Sequence, residues 1–149
     1  MSSSDVRSLP VEFLYNARFT GLGEVYRMTG GPKGARLLVP SINGSFEGPH
    51  MRGIFLPGLC CDYATQLGDT YMPDIRLALQ TEDGALIVAT QTGRLSPFYS
   101  NGRWPGTWRV SLTFECGPGA YERLNEVQAV GIGRWLTRDE IEYDVYVLL

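Results

Sequence analysis

A chain of 149 residues with 44% hydrophobic and 19% charged side chains carries enough apolar material for one domain with a sizeable core, and it lacks the composition of a disordered segment. Its net charge of -3, with Lys33 as the only lysine and no basic run, excludes the electrostatic footprint of a nucleic-acid binder. Met1-Ser2-Ser3-Ser4-Asp5 opens no signal peptide and no segment reaches the length of a membrane span, so a cytoplasmic protein with neither a nucleic-acid nor a membrane partner is expected.

Residues 1–8 read as a flexible polar tail, and 9–149 as a single β domain. From Leu9, apolar residues recur at every second position (Val11, Phe13, Tyr15, Ala17, Phe19), which predicts a strand buried on one face. Glu24 to Arg27 predicts a short second strand, and Thr29-Gly30-Gly31-Pro32-Lys33-Gly34 a loop. Leu37-Leu38-Val39 leads into Ile42 to Phe46, and Gly48-Pro49 separates that segment from Gly53-Ile54-Phe55. Asp74 to Thr81 alternates cleanly, with Ile75, Leu77 and Leu79 on one face and Asp74, Arg76, Ala78 and Gln80 on the other. Glu82-Asp83-Gly84 is a hairpin turn, because Asp-Gly accepts the positive φ angles of a tight loop, and Ala85 to Thr92 returns as the partner strand.

Glycines, prolines and Asn101-Gly102 make Gly93 to Gly106 a loop, with room for one helical turn over Ser96 to Ser100. Trp108, Val110, Leu112 and Phe114 predict another strand, Ala120 to Asn125 a short helix, and Val127 to Arg134 and Ile141 to Leu148 the last two strands. Eight to ten short strands with at most one or two short helices indicate an all-β fold. Consecutive hairpins favour a closed or nearly closed antiparallel barrel, lipocalin-like in architecture, since closure removes exposed edges. A barrel of about eight strands can enclose one small ligand.

Three cysteines, two of them adjacent (Cys60, Cys61, Cys116), do not form a disulfide framework, and one histidine, His50, leaves no metal-ligand set and no hydrolytic triad. Gly30 to Gly34 lacks phosphate-loop spacing. No cofactor or metal is therefore expected.

Three ordered blocks carry a resemblance. The first is Gly44-x-x-Glu47-Gly48-Pro49-x-x-Arg52-Gly53 with Leu56-Pro57-Gly58 and Asp62-Tyr63. The second is Asp74-x-Arg76 with Thr81-x-Asp83-Gly84-Ala85-x-Ile87. The third is Tyr121-x-x-Leu124-Asn125, Val130-Gly131-x-Gly133 and Asp144-Val145-Tyr146. Together they resemble the domain-of-unknown-function family 3237, also called uncharacterised protein family 0311, over Leu9 to Leu149. The family pattern has Trp after the first motif aspartate, where this chain has Tyr63. The resemblance implies a small β-barrel that self-associates, a homodimer being the expectation. A few relatives resemble cofactor-free cyclases of secondary metabolism, which add a hydroxyl across an activated alkene.

The candidate chemistry is acid–base. Asp62 in an apolar pocket would hold its proton more tightly and serve as a general acid. Asp74, oriented by Arg76 on a shared inward face, would be its partner in proton transfer, with Glu47 re-aimed by the Gly48-Pro49 interruption. The competing reading of Asp74-x-Arg76 is a solvated strand face with a weak surface ion pair. Tyr63, Tyr71, Phe98, Tyr99, Trp104, Trp108 and Trp135 are candidates to line a cavity for a small hydrophobic or aromatic molecule; substrate contacts are assigned to Tyr63, Phe98, Tyr99, Trp104, Trp108 and Asn125. Three functions stay open at this point: a cofactor-independent cyclase or isomerase acting on a small aromatic or polyketide-like metabolite, a non-catalytic binding barrel, and an interaction module whose polar face is merely wet.

Overall fold

The computed structural model describes residues 7–95 and 107–149. In chain order the strands are β1 (Val11–Leu22), β2 (Tyr26–Gly31), β3 (Gly34–Glu47), β4 (Arg52–Phe55), β5 (Cys61–Leu67), β6 (Thr70–Met72), β7 (Asp74–Thr81), β8 (Leu86–Arg94), β9 (Thr107–Cys116), β10 (Ala129–Thr137) and β11 (Glu140–Leu148), and a 3-10 turn lies at Glu122–Glu126. All pairings are antiparallel. Eight strands close a ring in the order β1-β11-β10-β9-β8-β7-β4-β3, and β3 returns to β1. The expected all-β, barrel-like architecture is present, with eleven strands among the described residues where eight to ten were expected.

The slot between β3 and β7 is shared. β4 fills it at one end through Glu47↔Arg52 and Gly53↔Thr81. At the other end β5 takes its place, pairing Val39↔Asp62 with β3 and Asp62↔Ile75 with β7. The detour through half-buried Leu56 and exposed Pro57-Gly58-Leu59 moves the chain from one position to the other.

The two ends of the ring differ in filling. At the β4 end, Tyr15, Phe46, Phe55, Leu79, Ile87, Leu112, Phe114 and Val145 are buried in one cluster, and the 3-10 turn adds Leu124. Edge-on ring contacts, such as Phe46–Phe55 with centroids 5.6 Å apart, lock that half. The β5 end is hollow.

Several local expectations needed correction. The expected loop at Thr29 to Gly34 is a tight hairpin: β2 runs through Gly31 and β3 begins at Gly34, with Gly34 at φ 80°. In β1 the buried set is Tyr15, Ala17 and Phe19, whereas Val11 and Phe13 stay exposed, because the register against β11 slips between Phe13 and Tyr15. A bulge of this kind ends one inward series and starts another. β5 and β6 had no clear pattern of their own, and the expected helical turn at Ser96 to Ser100 lies outside the described residues. Asp83-Gly84 is a turn as expected, with Gly84 at φ 89°.

Candidate active site

A cavity of about 430 Å3 occupies the β5 end. Its walls are Phe19, Leu37, Ile75, Leu77, Trp108 and Ile141; polar groups enter from Asp62, Gln91 and Tyr143, and Arg27, Arg138 and Asp139 also border it. The walls follow from strand alternation. Ile75 and Leu77 belong to the inward face of β7, and Phe19 to that of β1. Gly133 makes room at one wall: a Cβ there would sit 2.6 Å from the Tyr143 ring, so only glycine lets that ring lie against β10.

Asp62 is the only aspartate or glutamate buried among the described residues, at 7% exposure. The Tyr71 hydroxyl donates to its Oδ2 over 2.6 Å, and the Asp74 backbone N–H donates to its Oδ1 over 3.0 Å. Burial raises its pKa from the usual 3.8 to about 6, and these two hydrogen bonds partly oppose the rise by favouring the charged form. The Arg36 guanidinium opposes it more weakly, from a position where it donates to the Ala64 and Tyr63 carbonyls at 3.1 and 2.9 Å.

Gln91, 3% exposed, is a second buried polar group. It hydrogen-bonds the Tyr143 hydroxyl, whose pKa is pushed far up by burial and further by the Asp62 charge. Trp108 is buried, packs edge-on against Tyr71 with centroids 5.4 Å apart and lies 5.8 Å from the Trp135 ring. Its Nε1–H is buried with no hydrogen-bond acceptor among the described residues. A donor left in that state costs free energy unless a ligand accepts from it.

Sequence-derived candidates separate on this geometry. Asp62 and Trp108 line the cavity. Asp74 and Arg76 do not: their side chains are 52% and 58% exposed and form a 3.1 Å ion pair on the outer face of β7. The expectation of an inward Asp74–Arg76 pair is corrected by the phase of β7, in which burying Ile75 and Leu77 turns Asp74 and Arg76 outward. Asp74 hydrogen-bonds Asp62 through its backbone amide alone, while its outward carboxylate acts as a like charge that adds a smaller rise to the Asp62 pKa. Tyr63 is 47% exposed for the same reason, since Asp62 before it and Ala64 after it point inward, and it forms no cavity wall.

Glu47 is exposed at the opposite end of β3. Asn125 is also remote from the cavity and exposed; its amide clamps the end of β9, accepting from the Cys116 N–H at 2.9 Å and donating to the Cys116 carbonyl at 3.0 Å. Phe98, Tyr99 and Trp104 lie outside the described residues. Sequence reading did not single out Gln91 or Tyr143. The one available signal was position: Gln91 continues the inward series Ile87, Ala89 on β8, and Tyr143 that of Ile141, Val145 on β11.

The three cysteines are free. Among the described residues no group of three or more His, Cys, Asp or Glu could hold a metal, and no helix is long and apolar enough to cross a membrane.

No match is found among curated proteins. Solved structures do match. A beta-barrel like protein from Acinetobacter baumannii aligns with TM-score 0.82 at 24% identity, covering 99% of this chain and 100% of that one. A conserved protein of unknown function from Rhodopseudomonas palustris aligns with TM-score 0.83 at 21% identity, covering 97% and 100%. An enzyme from Penicillium herquei aligns with TM-score 0.70 at 22% identity, covering 99% and 100%. At these identities the likeness is one of fold. The family model described as Protein of unknown function (DUF3237) matches residues 10–148, and the chain belongs to that family.

Proposed function

We propose that the protein is a cofactor-independent cyclase or isomerase that uses Asp62 to move a proton within an apolar cavity. One observation carries the reading: a buried carboxyl group with its pKa raised to about 6, held by Tyr71 and the Asp74 amide against an aromatic-lined hollow of about 430 Å3. Each Asp62 oxygen accepts one of these hydrogen bonds and keeps a lone pair for a ligand hydroxyl. A carboxyl group titrating near the working pH serves both as base and, once protonated, as acid.

The reaction class follows. Asp62 takes the proton of a substrate hydroxyl, and the oxygen forms a C–O bond to an alkene activated by a carbonyl. The proton then returns to the adjacent carbon, so that O–H and C=C are exchanged for C–O and C–H with no external reagent. Charge develops on the activating carbonyl during the addition, and the Trp108 Nε1–H is a donor of the kind that stabilises it. The fold likeness to an enzyme from Penicillium herquei supports an enzymatic reading.

A non-catalytic barrel that binds the same kind of molecule is the second reading. It draws on the outward position of Asp74, which leaves one buried carboxylate in the cavity among the described residues, where paired catalysis would use two.

A panel of hydroxyaryl enones tests the choice, with ring closure followed by loss of near-ultraviolet absorbance and binding followed by quenching of tryptophan emission. Asp62→Asn is expected to keep binding and lose about 100-fold or more in turnover, the usual contribution of a positioned acid–base group. Unchanged turnover in that variant, or bound panel members that never react faster than in buffer, would remove the enzyme and leave the binding barrel.

A further inference from the structure

Taking the cavity as a ligand site, as above, we propose that its rim is an anion site in which Arg27 and Arg138 receive a carboxylate, phenolate or similar group at one end of an otherwise apolar aromatic ligand. The two arginines come from separate elements, Arg27 from β2 and Arg138 from the turn between β10 and β11. Both border the cavity.

Lack of partners combined with a place at the cavity sets them apart. Arg18, Arg52, Arg76, Arg123 and Arg134 each pair with a carboxylate. Arg36 and Arg94 donate to backbone carbonyls. Among the described residues Arg7, Arg27, Arg109 and Arg138 do neither, and of these four only Arg27 and Arg138 border the cavity. Apart from buried Asp62, Asp139 is the one carboxylate among the residues that border the cavity, so on its exposed side two cations face one anion in a chain whose overall charge is -3. Guanidinium groups suit planar oxyanions, to which they donate in pairs.

The interior fixes the orientation. Asp62 is the only buried carboxylate among the described residues, and a ligand anion placed beside it would meet a like charge in low dielectric. At the rim the same anion keeps part of its hydration and faces net positive charge, while Phe19, Leu37, Trp108 and Ile141 enclose the ring system. The ligand class is thus an amphiphilic aromatic acid entering ring first, which presents its uncharged end to Asp62.

A matched pair of dyes tests this. 8-Anilinonaphthalene-1-sulfonate and uncharged N-phenyl-1-naphthylamine share a ring system and differ by the sulfonate. Energy transfer from tryptophan reports binding near the Trp108 and Trp135 rings. The sulfonate dye is expected to bind about tenfold tighter or more, with affinity falling as salt rises, a difference of about 1.4 kcal/mol. The Arg27→Gln/Arg138→Gln double variant should lose that advantage while binding the neutral dye within about twofold of the parent, which also shows that the variant is folded. Equal affinity for the two dyes, or equal losses for both in the double variant, would overturn the anion site and leave the cavity reading intact. Failure of the neutral dye to bind the parent protein would overturn the cavity reading and the anion site together.

Discussion

Tyr71 and Asp62 meet inside the barrel, the phenol hydroxyl donating to the carboxylate Oδ2 over 2.6 Å. The two residues belong to the β5–β6 hairpin, and the backbone of Tyr71 is fixed from the other side by paired hydrogen bonds with Leu95, at 2.8 and 2.9 Å. The donor is thereby held in place by main chain, and the carboxylate is oriented before any ligand arrives. Such preorganisation is what a proton-transfer group requires.

Removing that donor should make Asp62 more basic. The Tyr71 hydrogen bond favours the charged carboxylate, so Tyr71→Phe is expected to raise the titration midpoint of Asp62 above its value of about 6. Carbon-13 NMR of the labelled carboxyl group reads this directly. A midpoint that stays put or falls would show that the phenol does not tune the acid.

The same burial predicts a pH-dependent stability. Asp62 has a folded pKa of about 6 against an ordinary 3.8, so between these values the folded state binds more protons than the unfolded state. The stabilisation from this group is full below about pH 3.8 and is lost as pH rises through 6, amounting to about 3 kcal/mol at 1.36 kcal/mol per unit. Asp62→Asn should remove that loss. Urea unfolding across this window should show stability rising with pH relative to the parent protein; parallel curves would contradict the assignment.

Asp74 and Arg76 should prove dispensable as side chains. Their ion pair is more than half exposed on both partners, and exposed pairs contribute about 0–1 kcal/mol. Asp74→Ala keeps the backbone amide that holds Asp62, so turnover and dye binding should match the parent within about twofold. A loss of 100-fold would restore Asp74 as a proton-transfer group and refute its outward placement.

Gly133→Val should disturb the cavity from outside its polar cluster. The new Cβ would sit 2.6 Å from the Tyr143 ring, which must shift, at a cost of about 1–3 kcal/mol for overpacking. Reduced urea stability together with weakened neutral-dye binding is the expected result. An unaffected protein would mean that Tyr143 has room to move that the packing does not show.

Strand alternation is a local property, and much of this barrel was therefore readable along the chain. Ile75, Leu77 and Leu79 announced the inward face of β7 and, by the same period, sent Asp74 and Arg76 outward; the notion of an inward pair ran against the very pattern that identified the strand. Asp62 stood out as an acid in a family block, and Trp108 and Tyr71 as aromatics able to line a hollow. Their meeting could not be read, because it depends on β5 entering the slot vacated by β4 and on a three-residue strand, β6, too short to show a period. Gln91 and Tyr143 lie 52 residues apart and come together only when β8 and β11 face each other across the ring. Periodicity assigns each side chain to a face because it arises from neighbouring peptide units, whereas a cavity arises from the closure of strands distant in sequence, and only that closure settles which inward residues touch.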